Sequence, residues 1–355
     1  MNKKYSYYHN LKHSFILAPL SAQVYPSISV SLLCPVYNEV ANLAHIIRFF
    51  NAIKLEEKEL LIIDGQSTDH TKEIIEQSAM LNPCIKYLEN PNRYVPHALN
   101  IAIKKATGLI LIRIDAHTNY REDYVEKILH CFERTGADIV GGPMRIAKGN
   151  PIQHAIGYAT GTAFGVGNSS FHFESYEGYT DSVYLGAWKR EIFSSTGLFD
   201  TSFKRNQDDE FHYRARHLGF KIYQDPEIVS WYQPRKKILA LFSQYFQYGL
   251  YKPKVLKKIP RAFQWRHLIP ACFFIYLLLL PLLFSFFSVI IFLPLAMYII
   301  ANFYFSLLSN SSFVQFLRIA AVYFTIHFAY GLGFVSGTIA LFQRKKSCCT
   351  ESQTN

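Results

Sequence analysis

Two long stretches of this sequence contain no charged side chain. No Asp, Glu, Lys or Arg occurs from Leu268 to Leu308 or from Ile319 to Gln343. A membrane-spanning helix needs about 20 apolar residues, so the first stretch is long enough for two helices and the second for one. The absence of charge therefore predicts membrane helices at about 268–286, 288–308 and 319–342.

Other features that the sequence lacks narrow the class of protein. The six cysteines show no metal-ligand spacing, which argues against a zinc site. The apolar stretch near the N-terminus, Phe15 to Leu20, is shorter than the core of a secretory signal, so we expect the larger domain to stay unexported. No recognised nucleic-acid-binding module accompanies the positive charge, which argues against a nucleic-acid partner.

The formal net charge of +11 is partly concentrated just before the first apolar stretch. The basic residues of this segment are Lys252, Lys254, Lys257, Lys258, Arg261 and Arg266. Such a cluster is attracted to anionic lipid headgroups by about 1 kcal/mol per residue, and the positive-inside rule places the preceding domain in the cytoplasm. Three crossings would put Arg344, Lys345 and Lys346 on the opposite side, so the number of crossings stays open. The pattern predicts a multi-pass protein of the cell (inner) membrane.

Between residues 29 and 134 strand patterns alternate with helix patterns. Strands are predicted at 29–34, 59–63, 85–88 and 109–114, and helices at 41–53, 69–79, 96–106 and 120–134. Further along, a short strand is predicted at 183–187 and a helix at 207–218. This alternation indicates the α/β class, with a mostly parallel sheet covered by helices on both faces.

Polar side chains follow three of these strands. Glu39 follows the first, Asp64 the second, and Asp115 and His117 the fourth. In open α/β sheets the carboxyl ends of the strands meet at one edge, where ligands bind. Asp115 and His117 lie two residues apart and could hold a divalent cation weakly, leaving coordination positions for a diphosphate. The pair alone is more typical of a polar loop after a buried strand, but three such turns together favour a ligand site.

Two segments of the second half allow two interpretations each. The glycine-rich stretch Gly161–Gly167 and the polar, aromatic stretch Asn168–Asp181 fit either a surface loop or a loop that grips a ligand. The helix at 207–218 begins with Asp208, Asp209 and Glu210, which would complement the helix dipole without any catalytic role.

Several motifs resemble the family 2 glycosyltransferases, inverting enzymes with the nucleotide-sugar-binding fold called GT-A. They are Pro35-Val36-Tyr37-Asn38-Glu39, Asp64-Gly65-Gln66-Ser67-Thr68-Asp69-His70-Thr71, Asp115-Ala116-His117, and Gln207-Asp208-Asp209-Glu210 followed by Arg214. Arg113–His117, Phe164–Asn168 and Arg205–Glu210 look like the succinoglycan-biosynthesis ExoA type within that family. The resemblance spans roughly residues 27–254.

The resemblance implies a role for each matching residue. Nucleotide binding is implied for Pro35, Tyr37, Glu39, Asp64 and Asp115, with Asp64 hydrogen-bonding the uracil ring. Asp115 and His117 would hold Mn²⁺ or Mg²⁺, and the nitrogen ligand favours Mn²⁺. Asp208 would be the catalytic base. Contacts to the acceptor or the donor sugar are implied for Asp209, Glu210, Arg214, Gln244 and Tyr248.

The expected function follows from the resemblance and the membrane helices together. Processive members carry Gln-x-x-Arg-Trp where this chain has Gln244–Tyr248 without Arg or Trp, which favours the addition of one sugar. We expect transfer from a UDP-sugar to a lipid-linked saccharide in cell-surface polysaccharide synthesis. A polyprenyl-phosphate sugar transferase and a catalytically silent scaffold stay open as alternatives, as do the donor sugar and the oligomeric state.

The expected domain organisation has five parts. These are an N-terminal extension at 1–26, a GT-A domain at 27–235, a basic and aromatic interfacial segment at 236–266, transmembrane helices at 267–343 and a tail at 344–355. In the last membrane helix, His327 either has a functional role or bonds a neighbouring carbonyl. The small residues of Gly333–Gly337 favour close packing against another helix.

Overall fold

The computed structural model of the protein describes residues 29–286 and 289–351. The N-terminal extension predicted at 1–26 and the end of the tail lie outside these residues, as do residues 287–288, where the first two predicted membrane helices meet.

The first part of the chain forms eleven strands and eight α-helices within the described residues. The strands are β1 (Val30–Val36), β2 (Lys58–Asp64), β3 (Ile85–Glu89), β4 (Ile110–Arg113), β5 (Thr118–Tyr120), β6 (Ile139–Gly142), β7 (Met144–Ile146), β8 (Gly178–Tyr179), β9 (Tyr184–Lys189), β10 (Ile222–Gln224) and β11 (Ser230–Tyr232). The helices are α1 (Val40–Ala52), α2 (Thr71–Leu81), α3 (Val95–Lys105), α4 (Tyr124–Thr135), α5 (Pro151–Thr160), α6 (Ala163–Val166), α7 (Ile192–Thr196) and α8 (Gln207–His217).

The predicted strands and helices match these elements within a few residues, with one exception. The helix expected from Tyr120 begins only at Tyr124, and Tyr120 lies in the short strand β5. The Tyr120 hydroxyl accepts a hydrogen bond from the backbone nitrogen of Asp115 at 2.7 Å, and its ring stacks on Phe49 with the centroids 5.0 Å apart. These contacts hold Tyr120 in extended backbone, so tertiary packing overrides the local helical pattern.

The main sheet has eight strands in the order β3-β2-β1-β4-β9-β6-β10-β8. Strands β1 to β4 are parallel, whereas β9 runs antiparallel to both of its neighbours. The register pairs Val36 with Asp64 and Leu33 with Arg113, so β1, β2 and β4 end at the same edge. The predicted convergence of their polar turns is therefore confirmed.

A buried carboxylate fixes this register near the opposite ends of the strands. Glu59 accepts hydrogen bonds from Ser31 Oγ and Lys86 Nζ, both at 2.5 Å, and from the Thr107 backbone nitrogen at 2.6 Å. Burial raises the pKa of Glu59, but the hydrogen bonds from Lys86, Ser31 and Thr107 outweigh it and lower the pKa to about 2. The network links β1, β2, β3 and the turn before β4, and so holds the strands whose other ends form the site.

The C-terminal part is helical. It contains α9 (Ile238–Lys258), α10 (Trp265–Phe286), α11 (Leu293–Leu307) and α12 (Phe313–Glu351). Among the described residues, three segments are long and apolar enough to cross a membrane: Trp265–Phe284, Val289–Leu307 and Phe313–Gln343. The last of these begins six residues before the span expected at 319–342, and α12 continues into the region expected to be a tail.

Glycines bring α9 into backbone contact with α12. A Cβ atom at Gly333 would lie 2.1 Å from the carbonyl oxygen of Phe246, and one at Gly337 would lie 2.2 Å from that of Leu250. The structure thus shows the close packing expected of Gly333–Gly337. Helix α9, which belongs to the segment expected at the membrane interface, packs against α12. This contact fixes the last apolar helix to α9, which directly follows the α/β part of the chain.

His327 on α12 bonds a neighbouring carbonyl, one of the two alternatives that the sequence left open. Its Nε2 lies 2.8 Å from the carbonyl oxygen of Phe164, and its Nδ1 lies 3.0 Å from the hydroxyl of Tyr298. Nε2 therefore joins α12 to α6, and Nδ1 joins α12 to α11.

Candidate active site

A cavity of about 1280 Å³ lies between the carboxyl edge of the sheet and the helices α9, α10 and α12. Side chains from three separate turns line it: those after β1, those after β4, and those at the start of α8. From the predicted site residues these are Pro35, Tyr37, Glu39, Asp115, His117, Asp208 and Asp209. Groups far apart in the sequence thus share one space, as expected.

Arg113 connects the two carboxylates on which the predicted chemistry depends. Its Nη1 lies 3.0 and 2.9 Å from the two carboxylate oxygens of Asp208. Its Nε lies 3.1 Å from Asp115 Oδ1, and its Nη2 lies 3.3 Å from Asp115 Oδ2. Only 10% of the Arg113 side chain is exposed, against 41% of Asp208. One planar guanidinium therefore sets the relative position of both carboxylates.

The sequence motif contained Arg113, but its role was missed. Arg113 is the last residue of an otherwise apolar buried strand, and a charge there is tolerated only when it is paired. It also lies two positions before Asp115, so both side chains lie on the same face of the strand. Burial lowers the pKa of Arg113, while Asp115 and Asp208 raise it above its ordinary value. Arg113 stays charged.

Asp115 and His117 make a donor set that fits a weakly held divalent cation. The Asp115 side chain is 18% exposed, and each of its oxygens keeps a lone pair beside the bond from Arg113. His117 Nδ1 lies 3.1 Å from Glu39 Oε1, which orients the ring and directs Nε2 away from Glu39. The hydrogen bond with Glu39 raises the pKa of His117, against the effect of burial. In the part of the chain that the structure describes, no three His, Cys, Asp or Glu side chains form a metal cluster. A cation here would need oxygens from a substrate.

Strained backbone precedes the acidic start of α8. Asn206 has φ +60°, in the left-handed region, and its Nδ2 donates to the carbonyl oxygen of Tyr248 at 3.0 Å. Such strain persists only where surrounding contacts enforce it, and here it turns the chain so that Asp208 faces the cavity. The neighbouring Asp209 pairs with Lys252 at 2.5 Å, which lowers the pKa of Asp209 against the opposing effect of its burial.

Asp64, expected to bind the nucleotide, does not line the cavity. It is 2% exposed, and its Oδ1 accepts hydrogen bonds from Ser67 Oγ at 2.5 Å and from the Ser67 backbone nitrogen at 3.2 Å. Ser67 Oγ in turn accepts from the backbone nitrogen of Asn38 at 2.8 Å. Asp64 therefore supports the turn that carries Tyr37.

Glu210 and Arg214, expected near a sugar, are also directed away from the cavity. They form a two-pronged ion pair with Arg214 Nε 3.0 Å from Glu210 Oε1 and Nη2 2.8 Å from Oε2. Lys258 Nζ adds a contact to Glu210 at 2.9 Å, and the Glu210 side chain is fully buried. The helical period explains this placement, because Glu210 and Arg214 share the face of α8 that packs inward.

Gln244 and Tyr248 do line the cavity, as expected. Gln244 Nε2 donates to the Tyr248 hydroxyl at 2.9 Å, and Gln244 Oε1 accepts from Arg235 Nε at 3.2 Å. The glycine-rich segment was expected to be a loop, but Ala163–Val166 forms the short helix α6. The segment contributes Phe164 to Asn168 to the same wall, which agrees with the interpretation that it grips a ligand.

Four arginines that line the cavity form no ion pair within the described part of the chain. They are Arg93, Arg205, Arg235 and Arg266. Arg93 lies over the Tyr37 ring, 5.2 Å from its centroid. Unneutralised guanidinium groups around one cavity attract phosphate groups, which they can also bind in a bidentate manner. Local patterns singled out Arg205 and Arg266 separately but did not indicate that the four would share a cavity, because they come from unconnected loops and helices.

Comparisons with known proteins identify the family and several relatives of this chain. Residues 31–178 match the model of the family described as Glycosyl transferase family 2. The succinoglycan biosynthesis protein ExoA of Rhizobium meliloti is 31% identical over 233 residues, which cover 65% of this chain and 71% of that protein. A dolichyl N-acetyl-alpha-D-glucosaminyl phosphate 3-beta-D-2,3-diacetamido-2,3-dideoxy-beta-D-glucuronosyltransferase of Methanococcus voltae is 29% identical over 241 residues, 64% of this chain and 74% of that protein.

Among solved structures, a mannosyltransferase from Pyrobaculum calidifontis in complex with GDP-Man and Mn²⁺ has a similar fold. The TM-score is 0.59 at 17% sequence identity, and the match covers 86% of each chain. The match covers most of this chain, so the two proteins share their overall fold.

Proposed function

This chain belongs to glycosyl transferase family 2 and is a glycosyltransferase with a GT-A-like fold, and on that basis we propose that it transfers one sugar from a UDP-sugar to a lipid-linked saccharide. The proposed reaction inverts the anomeric carbon in a single displacement. No covalent intermediate is needed, so the proposal requires no nucleophilic cysteine or serine.

One observation carries the proposal. Arg113 contacts both Asp115 and Asp208 within a single cavity. A single displacement needs a group that stabilises the leaving diphosphate and, across the sugar, a base for the acceptor hydroxyl. Carboxylates joined by one guanidinium are close enough to flank one sugar ring, which supports assigning these two functions to them.

The proposed mechanism assigns each residue one action. Asp208, the more exposed of the two carboxylates, accepts the proton of the attacking hydroxyl. Asp115 and His117 would hold Mn²⁺ or Mg²⁺, with Glu39 orienting the imidazole. When bound, the cation supplies Lewis-acid neutralisation of the charge on the departing diphosphate. The nucleotide is proposed to lie against Pro35 and Tyr37.

The acceptor and the location are proposed from other observations. The cavity extends to helices that are apolar enough to cross a membrane, which supports an acceptor carried on a lipid. The names of the two relatives refer to succinoglycan biosynthesis and to a dolichyl-linked sugar phosphate, which supports a role in building a saccharide on a lipid carrier. We place the catalytic part on the cytoplasmic side of the cell membrane because the basic residues before α10 favour that side.

A transfer assay tests the proposal. Membranes that contain the protein are incubated with a set of UDP-sugars and extracted lipid-linked saccharides, and products are identified by mass spectrometry. We expect one of the UDP-sugars to lengthen the acceptor by one sugar. EDTA treatment should lower the rate of this transfer at least tenfold, and added Mn²⁺ should restore it. Transfer to purified polyprenyl phosphate alone would favour the alternative transferase. Absence of both transfer and UDP release with every donor would contradict the proposal.

A further inference from the structure

The cavity has a second end that the proposed chemistry does not use. Beyond Asp208 it continues between the apolar helices, where its wall is aromatic and aliphatic. The lining residues there are Ile269, Pro270, Phe273, Tyr298, Ile326 and Tyr330. A sugar does not need so apolar a surface, so this end suits another part of the acceptor.

One face of α10 changes from basic to apolar along this wall. Arg266 lies at the start of the helix, and Ile269, Pro270 and Phe273 follow it on the same face. The start of a helix of this length also carries partial positive charge. A surface that is cationic at one end and apolar beyond it matches an amphiphile with an anionic head and a hydrocarbon tail.

Arg266 is held in place without a carboxylate partner. Its aliphatic stem packs over Gly167, where a Cβ atom would lie only 2.7 Å from Arg266 Cδ. Gly167 has φ +76°, so both its backbone conformation and its lack of a side chain suit this contact. Arg266 lines the cavity and forms no ion pair with any residue that the structure describes. Its charge is therefore available to a ligand.

Two further donors lie in the same part of the cavity wall. The hydroxyl of Tyr330 is buried and has no hydrogen-bond partner among the described residues. His267 is 6% exposed, and its Nδ1 accepts from the backbone nitrogen of Gln264 at 3.2 Å, which places its proton on Nε2. An unpaired buried hydroxyl is costly, and a bound anion would satisfy it.

We propose that Arg266, Tyr330 and His267 bind the phosphate of an isoprenoid lipid carrier, with its first isoprene units against Ile269 and Phe273. This inference rests on the proposed function, because it defines the lipid part of the acceptor. The saccharide would then extend along the cavity from this phosphate towards Asp208. Lys252 and Asp209, which also line the cavity, are paired at 2.5 Å and add no net charge to it.

Binding of farnesyl phosphate to the full-length protein in phosphatidylcholine nanodiscs tests the inference. We expect Arg266→Gln to weaken this binding about ten- to hundredfold, because a charge-assisted hydrogen bond is lost. Tyr330→Phe should weaken it about threefold or more. Arg261→Gln removes the same charge from an exposed residue of the same segment outside the cavity, and should change the affinity less than twofold.

Ligand controls separate the chemical sources of the phosphate. Farnesol should bind the wild-type protein at least tenfold more weakly than farnesyl phosphate does. Inorganic phosphate and phosphatidylglycerol should compete poorly. Equal affinity for farnesol, or equal competition by either of the two other phosphates, would overturn the assignment to an isoprenoid phosphate even if Arg266→Gln were poorly folded.

UDP binding separates failure of this inference from failure of the proposed function. Arg266→Gln should keep UDP affinity within about threefold of wild type. If that variant binds farnesyl phosphate as wild type does, the inference is wrong while the proposed transfer is unaffected. If no UDP-sugar binds but farnesyl phosphate binds through Arg266, the proposed function fails and the lipid-phosphate site stands.

Discussion

Replacement of Asp208 by asparagine should lower the rate of sugar transfer about a thousandfold, while the affinity for the UDP-sugar changes less than about threefold. The amide keeps the shape of the carboxylate and can still accept a hydrogen bond from Arg113 Nη1, now 2.9 to 3.0 Å from the Asp208 oxygens. It cannot take a proton, and general-base catalysis typically contributes a hundredfold to ten-thousandfold. Rates of product formation and equilibrium binding of the donor, both on the full chain, check this prediction.

The adjacent carboxylate offers a matched control. Asp209 lies one residue further along α8 and lines the same cavity, but its carboxylate is paired with Lys252. Asp209→Asn should lower the rate about tenfold or less, because it removes a charge near the site without removing the base. A fully active Asp208→Asn enzyme would refute the assignment of the base. A more severe effect at Asp209 than at Asp208 would transfer that role to Asp209.

The second large effect is expected at Arg113, which we regard as a positioning residue. Arg113→Ala should lower the rate about a hundredfold or more, because it leaves Asp115 and Asp208 facing each other without the guanidinium that joins them. Arg113→Lys should recover only part of the loss, since an ammonium group cannot span two carboxylates as a planar fork does. Steady-state kinetics that separate kcat from KM for the donor measure both effects.

Chemical rescue distinguishes positioning from general destabilisation. Methylguanidinium added to Arg113→Ala should enter the space that the side chain left and raise the rate of the variant at least tenfold. Methylammonium should raise it less. Lys127→Ala, which removes an exposed ion pair with Glu227, is the control, and neither cation should stimulate it. Equal rescue by both cations, or an Arg113→Ala enzyme as fast as wild type, would contradict the positioning role of Arg113.

Local patterns were sufficient for the fold and for the convergence of the polar turns. The alternation of apolar strands and amphipathic helices predicted β1 to β4. The rule that ligands bind at the carboxyl edge predicted that Glu39 would lie near Asp115 and His117. Both depend on short-range periodicity and on a handedness that all such folds share. The three apolar helices followed from the absence of charge alone.

Side-chain direction could not be predicted in the same way. Asp64 and Glu210 are polar residues within site motifs, yet both are buried in structural hydrogen bonds or ion pairs. Which carboxylate faces the cavity depends on partners such as Ser67 and Arg214, whose positions are set by packing. Arg113 was missed for the converse reason, since its two partners lie 2 and 95 residues away and only the folded chain brings them together.

The lipid end of the cavity could not be predicted from the sequence either. Tyr330 and Arg266 lie on separate helices, and each alone fits an ordinary membrane-helix residue. Their shared cavity depends on the glycine contacts between α9 and α12 and on the crossing of α10 over Gly331, where a Cβ atom would lie 2.2 Å from the carbonyl oxygen of Pro270. Small residues signalled close packing, but not which faces would meet.

The most direct test of the central claim is an experimental structure of the full-length Asp208→Asn protein with a UDP-sugar and Mn²⁺. We predict that the cation will lie at Asp115 and His117 beside the diphosphate, with the anomeric carbon between the diphosphate and residue 208. A diphosphate bound elsewhere, or a sugar whose anomeric carbon is turned away from residue 208, would contradict it.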